Sequence, residues 1–172
     1  MDMNGLLNLF GTFLNMNKIK PRISIIIRTL NEERYLNQLL EGIKSQKIKE
    51  KIEVIVIDSG SEDNTVKIAL ENNCRILNIK REEFSFGRSL NFGCKNALGD
   101  YLVFISGHCI PYNKSWLQKL IDPLLNNQID YSYGRQIGCP ETYWSENKIF
   151  EKYFPRNSQI PQNGFFCNNA NS

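Results

Sequence analysis

Apolar positions along the chain fall into two alternating patterns, short continuous runs and stripes spaced three and four residues apart. After Pro21, "ISIII" (Ile23 to Ile27) is a β-branched run that suits a strand covered on both faces. In "ERYLNQLLEGIKSQ", Leu36, Leu39, Leu40 and Ile43 recur with the spacing of a helix packing one stripe on a sheet. "KIEVIVID" predicts a second buried strand closing on Asp58. "SEDNTVKIALENN" predicts a second helix, with Ser61 or Asp63 placed to cap its free amides, and "CRILNIK" predicts a third strand. "GRSLNFGCKNALG" has helical spacing through Leu90, Cys94 and Ala97 and is expected to end at Gly99 in a left-handed conformation; "DYLVFIS" follows as a fourth strand. "YSYGRQIG" reads as a fifth strand ending at Gly134 and Arg135. "SENKIFEKYFP" reads as a short helix with Ile149, Phe150 and Tyr153 in the core. Tyr143 and Trp144 could stack on the apolar face of a ligand, but hydrophobic packing is the preferred reading.

Strands alternating with helices imply an α/β fold, a mostly parallel sheet flanked by helices with right-handed crossovers. In such sheets ligands bind beyond the carboxyl ends of the strands. That singles out Arg28, Thr29, Asn31 and Glu32 after the first strand, Asp58, Ser59 and Gly60 after the second, and Ser106, Gly107 and His108 after the fourth. Asp58 at the end of an apolar strand could accept hydrogen bonds from a base or ribose, or could simply cap its own turn. Neither G-x-G-x-x-G nor G-x-x-x-x-G-K-[ST] occurs, so a Rossmann dinucleotide site or a P-loop has no support.

Composition narrows the picture. At 172 residues, 41% hydrophobic and 23% charged, the chain fits one globular domain. Its formal charge of +3 is mild, and its basic run "KIKEKIE" is broken by glutamates, so no nucleic-acid partner is expected. Five cysteines without a C-x-x-C pair, and a single histidine, argue against a zinc site and suggest a reducing, cytoplasmic setting. No apolar run is long enough to span a membrane. Within residues 1–20, Leu6, Leu7, Phe10, Phe13 and Leu14 share one helical face, which could pack on its own domain, hold a partner, or lie on the inner face of a membrane.

"SIIIRTLNEE", "VIVIDSGSEDNT", "LNFGCKNALGDYLVFI" and "SGHCIP" together resemble, in order and spacing, the nucleotide-sugar-binding half of the inverting family-two glycosyltransferases of GT-A fold. "YGRQIGCPETYWSENKIFEKYFP" and "GFFCNNANS" resemble the rhamnosyltransferase-like branch, so the likeness runs over roughly residues 22 to 172. The resemblance implies a nucleotide-diphospho-sugar donor and a glycan or lipid-linked acceptor. It places Thr29, Asn31 and Glu32 in the first nucleotide-contacting loop, where Arg28 replaces a common proline, and gives Asp58, beside Ser59, the contact with the base. Ser106 and His108 fall on the two aspartates of the D-x-D motif, which holds the ribose and a divalent metal.

Both acids are missing. A neutral imidazole can bind Mn²⁺ but brings no charge, and Mg²⁺ or Mn²⁺ on a diphosphate favours oxygen ligands, so His108 as a metal ligand implies weakened affinity. His108 could instead donate directly to the diphosphate, assisted by Arg88 at the start of the third helix. Arg135 is a further candidate substrate contact. Cys109 is read as packing rather than as a nucleophile. In the resembled family the general base follows the "NNANS"-like segment, so the domain over residues 21–172 is expected to be incomplete at its C-terminus; no catalytic residue is nominated, Glu141, Glu146 and Glu151 included. The alternative is an inactive nucleotide-sugar-binding or partner-binding module.

Overall fold

A computed structural model describes residues 20–140, 142–154 and 156–157, so the amphipathic stripe of residues 1–19 lies outside it. Strand β1 (Ile23–Thr29) occupies the interior of a parallel sheet, with β2 (Ile52–Asp58) on one side and β4 (Tyr101–Ser106) on the other; β3 (Arg75–Asn78) pairs outside β2, giving the order β3-β2-β1-β4. Helices α1 (Glu33–Lys44), α2 (Thr65–Glu71) and α3 (Phe86–Asn96) fill the connections between consecutive strands; α4 (Trp116–Leu125) and α5 (Trp144–Tyr153) follow. The expected mostly parallel α/β sheet is therefore present.

Side chains alternate across β1, and each face carries its own core. Ile23, Ile25 and Ile27 pack with Val56, Val103 and Ile105 beneath Leu36, Leu39, Leu40 and Ile43 of α1 and Leu117, Leu120 and Ile121 of α4. Ile26, Ile55 and Ile57 meet α3 on the other face, together with Phe104, Leu90 and Cys94. A Cβ at Gly93 would stand 2.7 Å from both Ile26 Cγ2 and Ile57 Cδ1, so glycine lets α3 lie close on the sheet.

Four sequence expectations are corrected. Helix α3 ends at Asn96, and Gly99 is not left-handed; its missing Cβ makes room for β1, since a Cβ there would lie 2.6 Å from the Ser24 backbone nitrogen. The helix ends that turn left-handed are instead those of α2, at Asn73, and α4, at Asn127. The "YSYGRQIG" segment runs as irregular backbone rather than as a strand. On α5, Ile149 and Tyr153 are exposed, as are Tyr143 and Trp144, while the buried aromatic is Phe154, which edges against Phe150 and Tyr133.

Candidate functional site

The carboxyl ends of β2, β1 and β4 lie side by side, and their loops carry most of the nominated residues. Thr29 and Asp58 are register partners, each 3% exposed. Thr29 Oγ1 donates to Asp58 Oδ1 at 3.1 Å, and Ser61 Oγ donates to the same oxygen at 2.5 Å. The backbone N–H groups of Gly60 and Ser61 donate to Oδ2 at 3.0 and 2.9 Å. Asp58 thus shapes its own turn, in which Gly60 takes φ +90°. Next to it, Ser59 Oγ is buried without a hydrogen-bond partner among the described residues.

The loops after β1 and β2 are laced to each other. Asn31, with φ 54°, donates its N–H to Ser61 Oγ and accepts from the Glu62 N–H through Oδ1. The Glu32 N–H donates to Thr65 Oγ1 at 2.7 Å. Asp63 accepts from the N–H groups of both Glu33 and Thr65, and Glu33 returns the arrangement by accepting from Asn64. Asp63 therefore serves the first turns of α1 and α2 together, whereas Ser61 serves the turn rather than the helix.

On the β4 side, the Gly107 N–H donates to the Arg28 carbonyl at 3.2 Å, and a Cβ at Gly107 would approach Glu32 Cγ to 2.8 Å. This close turn brings His108 Nδ1 to 3.0 Å from Glu32 Oε1. The hydrogen bond to Glu32 raises the His108 pKa above its usual 6.5, against the opposing effect of burial. With Nδ1–H committed to the carboxylate, Nε2 is the ring atom left for a ligand.

Arg28 stands beside this pair. It is register partner to Ser106, and its guanidinium lies 4.6 Å from the centroid of the Phe86 ring, which is itself exposed. The residue is half-buried, burial lowers its pKa, and no carboxylate among the described residues pairs with it. Cys109 sits below, and burial pushes its thiol pKa up, which suits packing rather than nucleophilic chemistry.

Two nominated residues stand apart. Arg88 is exposed, with Nη1 donating to the Glu83 carbonyl and its N–H capped by Ser85. Arg135 is exposed and close enough to Glu151 on α5 to act on its charge. The Glu32–His108 pairing and the Arg28–Phe86 stack are the arrangements that sequence reading did not assemble; a cation at the end of an otherwise apolar strand was the available signal for the second. The donor set does not suit a resident divalent ion. Among the described residues no three His, Cys, Asp or Glu side chains gather to hold one, and Arg28 adds a positive charge nearby.

Comparison with known proteins bears on this arrangement. An uncharacterised glycosyltransferase of Rickettsia typhi is 34% identical over 93 residues, covering 54% of this chain and 29% of that protein. Glycosyltransferase AglE of Haloferax volcanii is 31% identical over 121 residues, covering 67% of this chain and 39% of its own length. The chain thus spans less than half of these curated relatives. Among solved structures, glucosyl-3-phosphoglycerate synthase of Mycobacterium tuberculosis, in complex with Mn²⁺, UDP and glucosyl-3-phosphoglycerate, superposes with TM-score 0.52 at 28% identity, covering 61% of this chain and 40% of the synthase. A mannosyltransferase of Pyrobaculum calidifontis in complex with GDP-Man and Mn²⁺ shares the fold at TM-score 0.55 and 21% identity, covering 72% and 41%. The sheet and helices are those of GT-A glycosyltransferases. The family model described as glycosyl transferase family 2 matches residues 24–170, and the chain belongs to that family.

Proposed function

We propose that this chain binds a nucleotide-diphospho-sugar at the carboxyl ends of β1, β2 and β4 and is the donor-binding part of an inverting glycosyltransferase. The observation that carries the reading is the juxtaposition of Thr29 and Asp58 with Ser106, His108 and Arg28 on neighbouring strands of a family 2 domain. A base or ribose reaching Asp58 Oδ1 exchanges with the Ser61 hydroxyl, one of the two side-chain donors now on that oxygen. Asn31 and Glu32 keep the first loop in place, and Ser59 and Ser106 line the strand ends. Arg88 would need to leave the Glu83 carbonyl to reach a donor, and Arg135 would approach from the exposed surface.

In the transfer itself, the acceptor hydroxyl oxygen bonds to the anomeric carbon, the bond from that carbon to the diphosphate breaks, and the hydroxyl proton passes to a base. We assign that base to no residue of this chain. Rhamnose is the proposed sugar, on the likeness of "YGRQ" and "NNANS" to the rhamnosyltransferase-like branch. The proposed acceptor is a glycan or a lipid-linked saccharide, with residues 1–20 touching the inner face of a membrane. Among the described residues no helix is long and apolar enough to cross one. The synthase resembled by this chain holds Mn²⁺ with UDP. Among the described residues this chain gathers no donor set for such an ion.

Titration calorimetry with a panel of nucleotide sugars tests the reading. At least one gives a heat of binding that Asp58→Asn reduces while circular dichroism stays native; silence across the panel removes the proposal. Transfer gained only when the chain is extended through its reading frame supports the donor-binding part of a longer enzyme; binding without transfer in both forms favours the inactive-module alternative.

A further inference from the structure

Resting on the donor-binding reading, we infer that Arg28 and His108 form a direct anion subsite for the donor's diphosphate, in place of a bridging metal ion. Arg28 carries the argument. A guanidinium at a strand end, half out of water and without a carboxylate among the described residues, has lost hydration without gaining a counter-charge. Its stacking on Phe86, 4.6 Å away, fixes the planar group and leaves its N–H donors for an acceptor that arrives from outside. Planar paired donors match phosphate oxygens.

The second member is oriented just as deliberately. Glu32 Oε1 takes Nδ1–H of His108 at 3.0 Å, so Nε2 is presented outward; the carboxylate also favours the imidazolium, whose Nε2–H donates to phosphate. Glu32 is thereby a positioning residue. Arg28 and Ser106 are register partners and His108 follows two residues later, so both cations stem from the β1–β4 strand ends. The charged groups acting on His108 are Glu32 and Arg28, one favouring and one opposing its proton; an arriving dianion relieves the opposition. A diphosphate is the fitting class because it offers one phosphoryl group to each of the two donors, whereas a monophosphate offers only one.

Binding of UDP, dTDP and GDP, and of the matching monophosphates, to the 172-residue chain in EDTA and in Mn²⁺ tests the inference. The expected result is diphosphate binding that EDTA leaves within about twofold, and a preference over the monophosphate that Arg28→Met lowers by roughly tenfold or more. Arg28→Lys restores part of that preference, and the thermal midpoint of Arg28→Met matches the parent. Diphosphate binding that vanishes in EDTA, or that Arg28→Met leaves unchanged, overturns the subsite while the donor-binding reading stands. No binding of any nucleotide by the parent chain overturns both.

Discussion

At the amino end of the sheet, Glu53 accepts from the Ser24 hydroxyl and the Leu98 N–H, each at 2.6 Å, and pairs with Arg75 at 3.2 Å; Ser24 in turn accepts from the Gly99 N–H. Charge there meets opposite charge, and each donor named has an acceptor. At the carboxyl end, among the described residues, Arg28 meets no carboxylate and Ser59 Oγ no hydrogen-bond partner, and Asn31 adopts a left-handed backbone. Both ends belong to the same strands and share the same core. The difference separates groups that complete the fold from groups left unmatched within it, and unmatched polar groups at strand ends are what a ligand can complete.

Glu53→Ala should break the balanced end and produce the largest effect. It removes the acceptor of the Ser24 hydroxyl and the Leu98 N–H and leaves Arg75 only the Asn96 carbonyl, and is expected to cost about 2–4 kcal/mol in urea unfolding, with nucleotide affinity unchanged. A loss confined to the carboxyl end instead would blur the contrast.

The His108–Glu32 pair gives an intermediate effect, read by pH. Because the hydrogen bond to Glu32 raises the folded pKa of His108, its stabilising contribution is complete below the unfolded value near 6.5 and disappears as pH climbs through the higher folded value. The ring is largely exposed, so the contribution is small. Its single histidine makes the NMR titration unambiguous, and Glu32→Gln should move the midpoint downward. An unmoved midpoint would dissolve the pair.

Ser59→Ala should give the smallest change. Removing a buried hydroxyl that meets no hydrogen-bond partner among the described residues leaves stability within about 1 kcal/mol of the parent, on the favourable side. A loss of several kcal/mol would mean that the hydroxyl is engaged after all.

The strands of this sheet were legible because "ISIII", "EVIVID" and "YLVFIS" are continuous apolar runs, which only a sheet covered on both faces accommodates. The α1 stripe was legible for the same reason, with Leu36, Leu39, Leu40 and Ile43 all buried. "YSYGRQIG" shows why periodicity can mislead: alternation specifies two faces but not membership of a sheet, and the segment is irregular backbone rather than one of the four strands. Helical spacing likewise located α5 but could not say whether anything covers Ile149 and Tyr153. Gly99 was read from local turn chemistry, whereas its requirement comes from Ser24, seventy-five positions away. Within the site, strand ends named the right neighbourhood, but which side chains spend their hydrogen bonds on one another is a matter of three-dimensional pairing. Asp58 with Ser61 and Glu32 with His108 are the examples.

The reciprocal bonds joining Asn31 to Ser61 and Glu62, and Asp63 and Asn64 to Glu33, make one rim of what the chain writes as two separate turns. A molecule pressing on either turn therefore meets the stiffness of both. Changes at Asn31 and Ser61 should compound unequally rather than sum, so the two turns cannot drift independently without loosening the starts of two helices.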